Sequence, residues 1–314
     1  MRAIMVSEFG GPEVLRVLEA EIPVPGPGEV LVRVLAAGVG PWDAHMRRGG
    51  PSDSLPYVPG AEFAGLVEGD TGDQFGFRDG DPVYGYPGLT GCYAQYVACP
   101  GEKMAPIPAG LPRIDAGAVP VDGLTAEQGL TAVLGIKADD LVLITAGAGG
   151  VGHLAVQMAR ALGATVYATA SPQHHEFMHK LGAAVVLDHN QPDWPDQIRE
   201  LTGGGVSKVL AAAEPTLEGA AAAARDGAVI ATPVHRGEYP GTERVRWQPF
   251  NGPQSGSGLI RLAPWFDDGS LTVEIARKYY WEDAAAAHRE VETGHTRGKL
   301  VLIVDDDLAA AIEV

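Results

Sequence analysis

Apolar positions change their period along the chain. Up to about residue 110 they fall in short β-branched or alternating runs: Glu29–Ala37, Phe63–Val67, Pro82–Tyr86 and Tyr93–Val97, each bounded by Gly or Pro. Such punctuation predicts a small, irregular, β-barrel-like domain. Asp115–Leu134 reads as helical, with a break at Pro120 and Gly123. From residue 141 strands and helices alternate. Leu141–Thr145 is a buried strand, and Gly150–Leu162 is a helix with apolar residues at 151, 154, 155, 158 and 162. Thr165–Ala168 (strand), Gln173–Leu181 (helix), Val185–Leu187 (strand), Val206–Ala212, Leu217–Ala224 and Ala228–Ala231 continue the series. Alternation of this kind predicts a doubly wound parallel sheet. The stretch 233–258 has no regular period, Trp281–Thr293 reads as a helix and Lys299–Val304 as a strand, and no internal repeat is present.

Where the first of these strands meets its helix, the residues are Gly147-Ala148-Gly149-Gly150-Val151-Gly152, a G-x-G-x-x-G pattern. Glycine is frequent in this chain, so the context carries the meaning: strand before, helix after, second strand next. Glycines let the backbone turn sharply and approach a pyrophosphate, and the helix start offers N–H groups and a positive dipole end. Sites that prefer NAD place Asp or Glu at the end of the second strand, on the ribose 2′-hydroxyl. Here the residues are Ala168-Thr169-Ala170-Ser171, without an acid. A 2′-phosphate meets no repulsion, Ser171 is placed to donate to it, and His174 and His175 add charge when protonated. NADP(H) is the expected cofactor. Ser171 also suits the N-cap of the following helix.

Composition narrows the class. The 314 residues suffice for two domains with cores of their own, and a net charge of −17 disfavours nucleic acid as a partner. The two cysteines, Cys92 and Cys99, are too few for a four-thiolate zinc lobe or a disulfide framework. Met1–Glu8 lacks the apolar stretch of a signal peptide, and no run approaches the ~18 apolar residues of a membrane span, so a cytoplasmic location is expected. The run Asp305-Asp306-Asp307 reads as a solvated tail.

A set of stretches, in order along nearly the whole chain, resembles the zinc-independent medium-chain dehydrogenases/reductases of the quinone oxidoreductase (zeta-crystallin-like) family. They are Pro27-Gly28-Glu29-Val30-Leu31-Val32-Arg33-Val34, Ala36-Ala37-Gly38-Val39, Pro56-Tyr57-Val58-Pro59-Gly60-Ala61-Glu62-Phe63-Ala64-Gly65, Gly80-Asp81-Pro82-Val83-Tyr84-Gly85, Gly123-Leu124-Thr125-Ala126, Ala148–Gly152 and Arg297-Gly298-Lys299-Leu300-Val301-Leu302. The resemblance implies an α/β protein: a chaperonin-10-like β-barrel catalytic domain over 1–119, a Rossmann domain over 120–266 and a return to the catalytic domain over 267–314. It implies an active site in the cleft between domains, hydride transfer from NADPH to a quinone, enone or similar small molecule, and a homodimer or homotetramer. Carried over by position, Thr125 lies near the nicotinamide and Ala148–Val151 form the pyrophosphate loop. Ser171 and His174 stand where relatives use Ser and Lys for the 2′-phosphate, and His189 stands where many have Tyr near the cofactor. The histidines at 174 and 189 depart from the family pattern.

Zinc-dependent relatives carry a Cys and a His at the positions held here by Gly40 and Ala61. Without those ligands no Lewis acid polarises a carbonyl, so no metal is expected. Gly40 also replaces the Asn of the common Val-Asn-Pro segment, which removes a polar group beside the nicotinamide. Asp43 and His45 remain. His45 is the nearby group that exchanges protons near neutrality and is the candidate proton donor; Asp43 is expected to hold a loop or orient a neighbour. Trp42, Tyr57 and Phe250 are candidate pocket residues, with core packing as the alternative for Trp42. Two rivals to quinone or enone reduction stand: an enoyl-thioester reductase, disfavoured because the segment 50–54 has no Tyr, and a non-catalytic NADPH-binding protein.

Overall fold

The computed structural model of the chain describes residues 1–50, 55–234 and 237–304. Most of the segment 50–54 and the whole Asp305–Asp307 run lie outside them. The chain divides into two compact units, one of Met1–Leu124 with Gln254–Val314 and one of Thr125–Pro253.

The first unit begins with β1 (Arg2–Val6) and β2 (Leu15–Glu19), an antiparallel pair with Arg2 opposite Glu19. The long strand β3 (Glu29–Val39) leads into the short helix α1 (Pro41–Arg47). Next come β4 (Phe63–Val67), β5 (Pro82–Gly85), β6 (Tyr96–Pro100), β7 (Met104–Pro106) and α2 (Pro120–Gln128). The second unit carries β8 (Leu141–Thr145), α3 (Gly150–Ala161), β9 (Thr165–Ala170), α4 (His175–Leu181) and β10 (Val185–Asp188). It continues with α5 (Trp194–Leu201), β11 (Val206–Ala211), α6 (Leu217–Ala223), β12 (Ala224–Thr232) and β13 (Arg246–Pro249). The chain then returns to the first unit as α7 (Gly256–Asp267), β14 (Ile275–Tyr280), α8 (Ala284–Val291) and β15 (Lys299–Ile303).

In the first unit β3 is the spine. Its first half pairs antiparallel with β6 and its second half with β15. On the other side it pairs with β4 across a register shift between Val34 and Ala36. Such an irregularity bends a strand so that it can serve two neighbours. Val30, Val32, Val34, Phe63, Leu300 and Leu302 form the centre of this unit's core.

In the second unit every pairing is parallel and the strand order is β10-β9-β8-β11-β12-β13. This is the doubly wound sheet that the alternating pattern predicts. Its order reverses between β8 and β11, and ligands bind outside the carboxyl ends of strands at such a point.

Several expected boundaries shift. Tyr93–Val97 does not form one strand: Ala94 makes an isolated bridge to Ala3, Tyr93 O accepts from Ile4 N, and the strand proper is β6, three residues later. The expected break at Pro120 is present, a short 3-10 turn over Asp115–Ala118 ending before Pro120 opens α2, since a first-turn proline gives up no helical bond, whereas Gly123 does not interrupt that helix. The unit junctions fall at Leu124/Thr125 and Pro253/Gln254, against the expected 119/120 and 266/267. The later junction lies before α7 because that helix belongs with the first unit: it packs on β7, and its Leu259 carbonyl accepts from the Tyr84 hydroxyl at 3.0 Å. No helix among the described residues is long and apolar enough to cross a membrane.

Candidate functional site

The loop after β8 is tied to β9. Ala146 N donates to Thr169 Oγ1 (3.2 Å) and Gly147 N to Thr169 O (2.8 Å). Ala146 itself takes a left-handed backbone, φ 51°, to make the turn. The glycines that follow differ in what requires them. A Cβ at Gly147 would lie 2.8 Å from Met178 Cε, and one at Gly152 only 2.3 Å from Ala146 O and 2.7 Å from Gly147 Cα. Gly147 is thus set by the close approach of α4 and β9, and Gly152 by the packing of α3 on the loop. Gly149 is not: its φ of −80° suits any residue, and its Cβ would meet only Ala146 O, at 3.4 Å. It is the N-cap of α3, and no side chain caps that end. The first N–H groups of α3 therefore keep their donors for another partner. A backbone cradle lined by Gly149, Gly150, Val151 and Gly152 suits a pyrophosphate, whose close approach a Cβ at 149 would fill. Ala148 closes the loop as a nearly buried residue.

The carboxyl end of β9 continues the same face. Thr169 and Ala170 are buried. Ser171 follows, half-buried, with no side-chain cap bond to the short turn Pro172–His174. The hydroxyl thus does not serve the N-cap role that the sequence also allows. His174 lies half-buried beside it, its N–H donating to Ser171 O at 2.8 Å. His175 is turned to the main chain, Nε2 to Ala170 O at 3.1 Å. His189 follows β10 and is exposed. The end of β8 is braced by Thr145 Oγ1 against Thr216 Oγ1 at 2.6 Å. Thr125 is buried, and Gly252 passes so near it that a Cβ there would lie 2.3 Å from Thr125 Oγ1. Phe250 is also buried, its ring against Gly129: a Cβ on that glycine would lie 2.9 Å from Phe250 Cζ.

The other expected site residues cluster on α1 in the first unit. Trp42 is 40% exposed, so it is not a core residue. Its ring lies 5.4 Å from that of His45, tilted by 46°, and His45 is exposed as well. Asp43 is buried and its Oδ2 accepts from Gly40 N at 2.8 Å, which fixes the entry into α1. Burial raises the Asp43 carboxyl to about 6, against the pull of the Gly40 N–H and of Lys299. The Tyr57 hydroxyl is likewise pushed up to about 12, by burial and by Asp43. Trp42, His45 and Tyr57 thus belong to one neighbourhood around Asp43, whereas Phe250 belongs to the core of the other unit.

One group of charges has no counterpart in the motif reading. Lys299 and Glu62 are both almost fully buried, with Lys299 Nζ 2.9 Å from Glu62 Oε1 and 2.8 Å from Asp122 Oδ2. The available signal was a carboxylate inside the apolar run Val58–Ala64 and a lysine opening an apolar strand.

A zinc ion does not suit these residues. Gly40 and Ala61 offer no donor side chain. Cys92 and Cys99 lie in the apolar core, where burial pushes both thiols far above their ordinary range, the reverse of what a zinc thiolate needs.

Two family models match: alcohol dehydrogenase GroES-like domain over residues 26–109 and zinc-binding dehydrogenase over residues 181–302. A quinone oxidoreductase from Pongo abelii is 34% identical over 207 residues, 65% of this chain and 63% of the relative. The chain thus matches somewhat under two thirds of that protein's length. A 2-haloacrylate reductase from Burkholderia sp is 31% identical over 327 aligned residues, 96% of this chain and 98% of the relative. Among solved structures, Escherichia coli quinone oxidoreductase complexed with NADPH superposes with a TM-score of 0.87 at 27% identity, covering 97% of this chain and 100% of that one. With both domains matched in order and relatives aligned from end to end, the chain belongs to the zinc-independent quinone oxidoreductase family of medium-chain dehydrogenases/reductases.

Proposed function

We propose that the protein is an NADPH-dependent reductase that adds hydride to a quinone or to an alkene conjugated with a carbonyl, without a metal. The observation that carries this reading is the face at the carboxyl ends of β8 and β9. It joins an uncapped helix start to a strand end that bears Ser171 and His174 and no acid. The NADPH-bound bacterial relative and the 2-haloacrylate reductase support the cofactor and the electron-poor acceptor respectively.

When bound, NADPH supplies the hydride. The N–H groups of Gly150, Val151 and Gly152, with the helix dipole, hold the pyrophosphate. Ser171 donates to the 2′-phosphate, and His174 adds a charge-assisted bond when protonated. Thr125 would orient the carboxamide end, and His189, exposed after β10, would contribute to holding the cofactor. Trp42 offers a broad exposed ring to a flat acceptor. As hydride reaches carbon, negative charge gathers on the acceptor's carbonyl oxygen and needs a donor there. His45, whose ring lies tilted 5.4 Å from that of Trp42, would supply that bond and then the proton; a shift of the carbon-bound hydrogen to oxygen as a proton then completes the conversion of quinone to hydroquinone. A quinone asks less of the proton donor than an isolated enone does, because its reduction creates an aromatic ring. A homodimer or homotetramer in the cytoplasm is the assembly and location that the family resemblance implies.

The test is loss of NADPH absorbance with 9,10-phenanthrenequinone and, separately, with a crotonyl thioester. Turnover of the quinone with little of the thioester is expected. The reverse order would make the protein an enoyl-thioester reductase. Tight NADPH binding without turnover of either would make it a binding protein.

A further inference from the structure

Lys299 opens β15 and is 4% exposed. Two of its three N–H donors are taken by carboxylates from different parts of the first unit: Glu62, just before β4, and Asp122, in the first turn of α2. The other Glu62 oxygen accepts from Val121 N at 2.7 Å, so Glu62 holds the start of α2 as well as the lysine. β3 makes room for this arrangement: a Cβ at Gly38 would lie 2.1 Å from Glu62 Oε1. A Cβ at Gly40 would lie 3.9 Å from Lys299 Nζ and 3.8 Å from Asp43 Oδ2, so the ammonium lies beside the N-cap of α1. Burial pulls the ammonium toward neutrality, but Asp122 and Glu62 outweigh it and keep Lys299 charged.

A buried ion cluster is an inefficient way to stabilise a fold, because apolar side chains of similar volume do as well without desolvating charge. What the cluster provides is fixed geometry. Its members reach two elements that carry proposed site residues: α1, with Trp42 and His45, and α2, where Thr125 follows Asp122 by one helical turn. We propose that Lys299 is a positioning residue for the reduction, a buried cationic hub that holds the first turn of α2 through Glu62 and Asp122 and steadies the start of α1 from beside Gly40 and Asp43. The proposal rests on the reductase reading above for the identity of the residues being positioned.

The experiment compares wild type with Lys299→Met, Lys299→Arg and the triple variant Lys299→Met/Glu62→Gln/Asp122→Asn, which keeps side-chain volume but buries no charge. Three quantities are read: thermal midpoint, kcat and KM with NADPH and 9,10-phenanthrenequinone, and the nicotinamide emission of bound NADPH. Lys299→Met is expected to lose at least tenfold in kcat with KM for NADPH within about twofold, since the phosphate contacts are elsewhere; Lys299→Arg recovers part of the loss. The triple variant is expected to regain a near-wild-type melting temperature while kcat stays at least tenfold down and the bound emission differs from wild type. A triple variant with wild-type kcat and emission would show the cluster to be structural only and overturn the proposal, even where Lys299→Met alone fails to fold. Should wild type reduce no acceptor, the reductase reading fails and the emission of bound NADPH decides the positioning role by itself.

Discussion

Gly149 separates the demands of the fold from those of a ligand. In Gly149→Ala the new Cβ enters nearly open space, 3.4 Å from Ala146 O, at an ordinary backbone angle of −80°. Alanine is a poorer N-cap than glycine by a few tenths of a kcal/mol or somewhat more, and it gains about 0.4–1 kcal/mol by restricting the unfolded chain. These nearly cancel, so the thermal midpoint should move by no more than about 2 °C. The cofactor meets a different result. A methyl group over the start of α3 holds the pyrophosphate off the N–H groups there. Hydrogen bonds to charged groups are worth about 1.5–3 kcal/mol each. Losing one of them weakens NADPH binding by about 10- to 100-fold, at 1.4 kcal/mol per tenfold. The companion Gly152→Ala behaves oppositely in its first readout. Its Cβ overlaps Ala146 O at 2.3 Å and backbone atoms of Gly147. Overpacking of this kind costs about 1–3 kcal/mol, against about 1 kcal/mol of helix propensity gained, so stability and affinity fall together. Differential scanning fluorimetry with a titration of NADPH emission measures both. A Gly149→Ala protein that binds NADPH as wild type does would refute the assignment of this loop to the pyrophosphate.

Three further outcomes are expected. Asp43 sits at about 6 in the fold, above its usual carboxylate value, because burial disfavours the charge. Its ionisation therefore opposes folding above that pH, and its contribution improves as pH falls from about 7 to about 4. The difference in unfolding free energy between wild type and Asp43→Asn should change by roughly 2–3 kcal/mol over that window; a flat difference curve would contradict the burial argument. His174→Lys places a permanent charge beside Ser171 and should tighten NADPH about tenfold at pH 8, with NADH unaffected, as read by competitive titration. His45→Phe should lower kcat for 9,10-phenanthrenequinone by about 10²-fold and abolish any pH dependence due to this group, while an unchanged pH–rate profile would remove His45 from the mechanism.

The parts of the protein that were legible in the chain are those specified over short distances. The unit β8–loop–α3–β9 needs only an apolar strand, glycines and a helix with one apolar face, all within residues 141–170. Helix α7 was not legible: it opens Gly-Ser-Gly and contains Pro264, poor local choices for a helix. It forms because Ser255 caps it, Oγ accepting from Gly258 N at 3.1 Å, and because its glycines fit against the Met104 carbonyl and Leu124. The Lys299 cluster was invisible for another reason. Its members come from separate regions of the chain, and although Glu62 and Lys299 each stand in an apolar stretch, nothing in the sequence pairs them. Phe250 shows the converse limit. Expected as a pocket residue, it is buried, with its ring against Gly129.

The path of the chain also sets an order of assembly during synthesis. Residues 125–253 are contiguous and complete a parallel sheet of their own, so this unit can close as soon as it leaves the ribosome. The other unit cannot. Its spine, β3, pairs Val39 with Leu300 and Ala36 with Ile303, partners that are translated after the whole of the second unit. Until β15 arrives, half of β3 is an apolar edge without a neighbour, a surface prone to pairing with the wrong chain. Between the synthesis of residue 253 and that of residue 299 the nascent protein thus carries a finished second unit and an open first one. Early occupancy by the dinucleotide would stabilise the former but leave the exposed edge unprotected, so chaperone demand should track the interval before residue 299 is made.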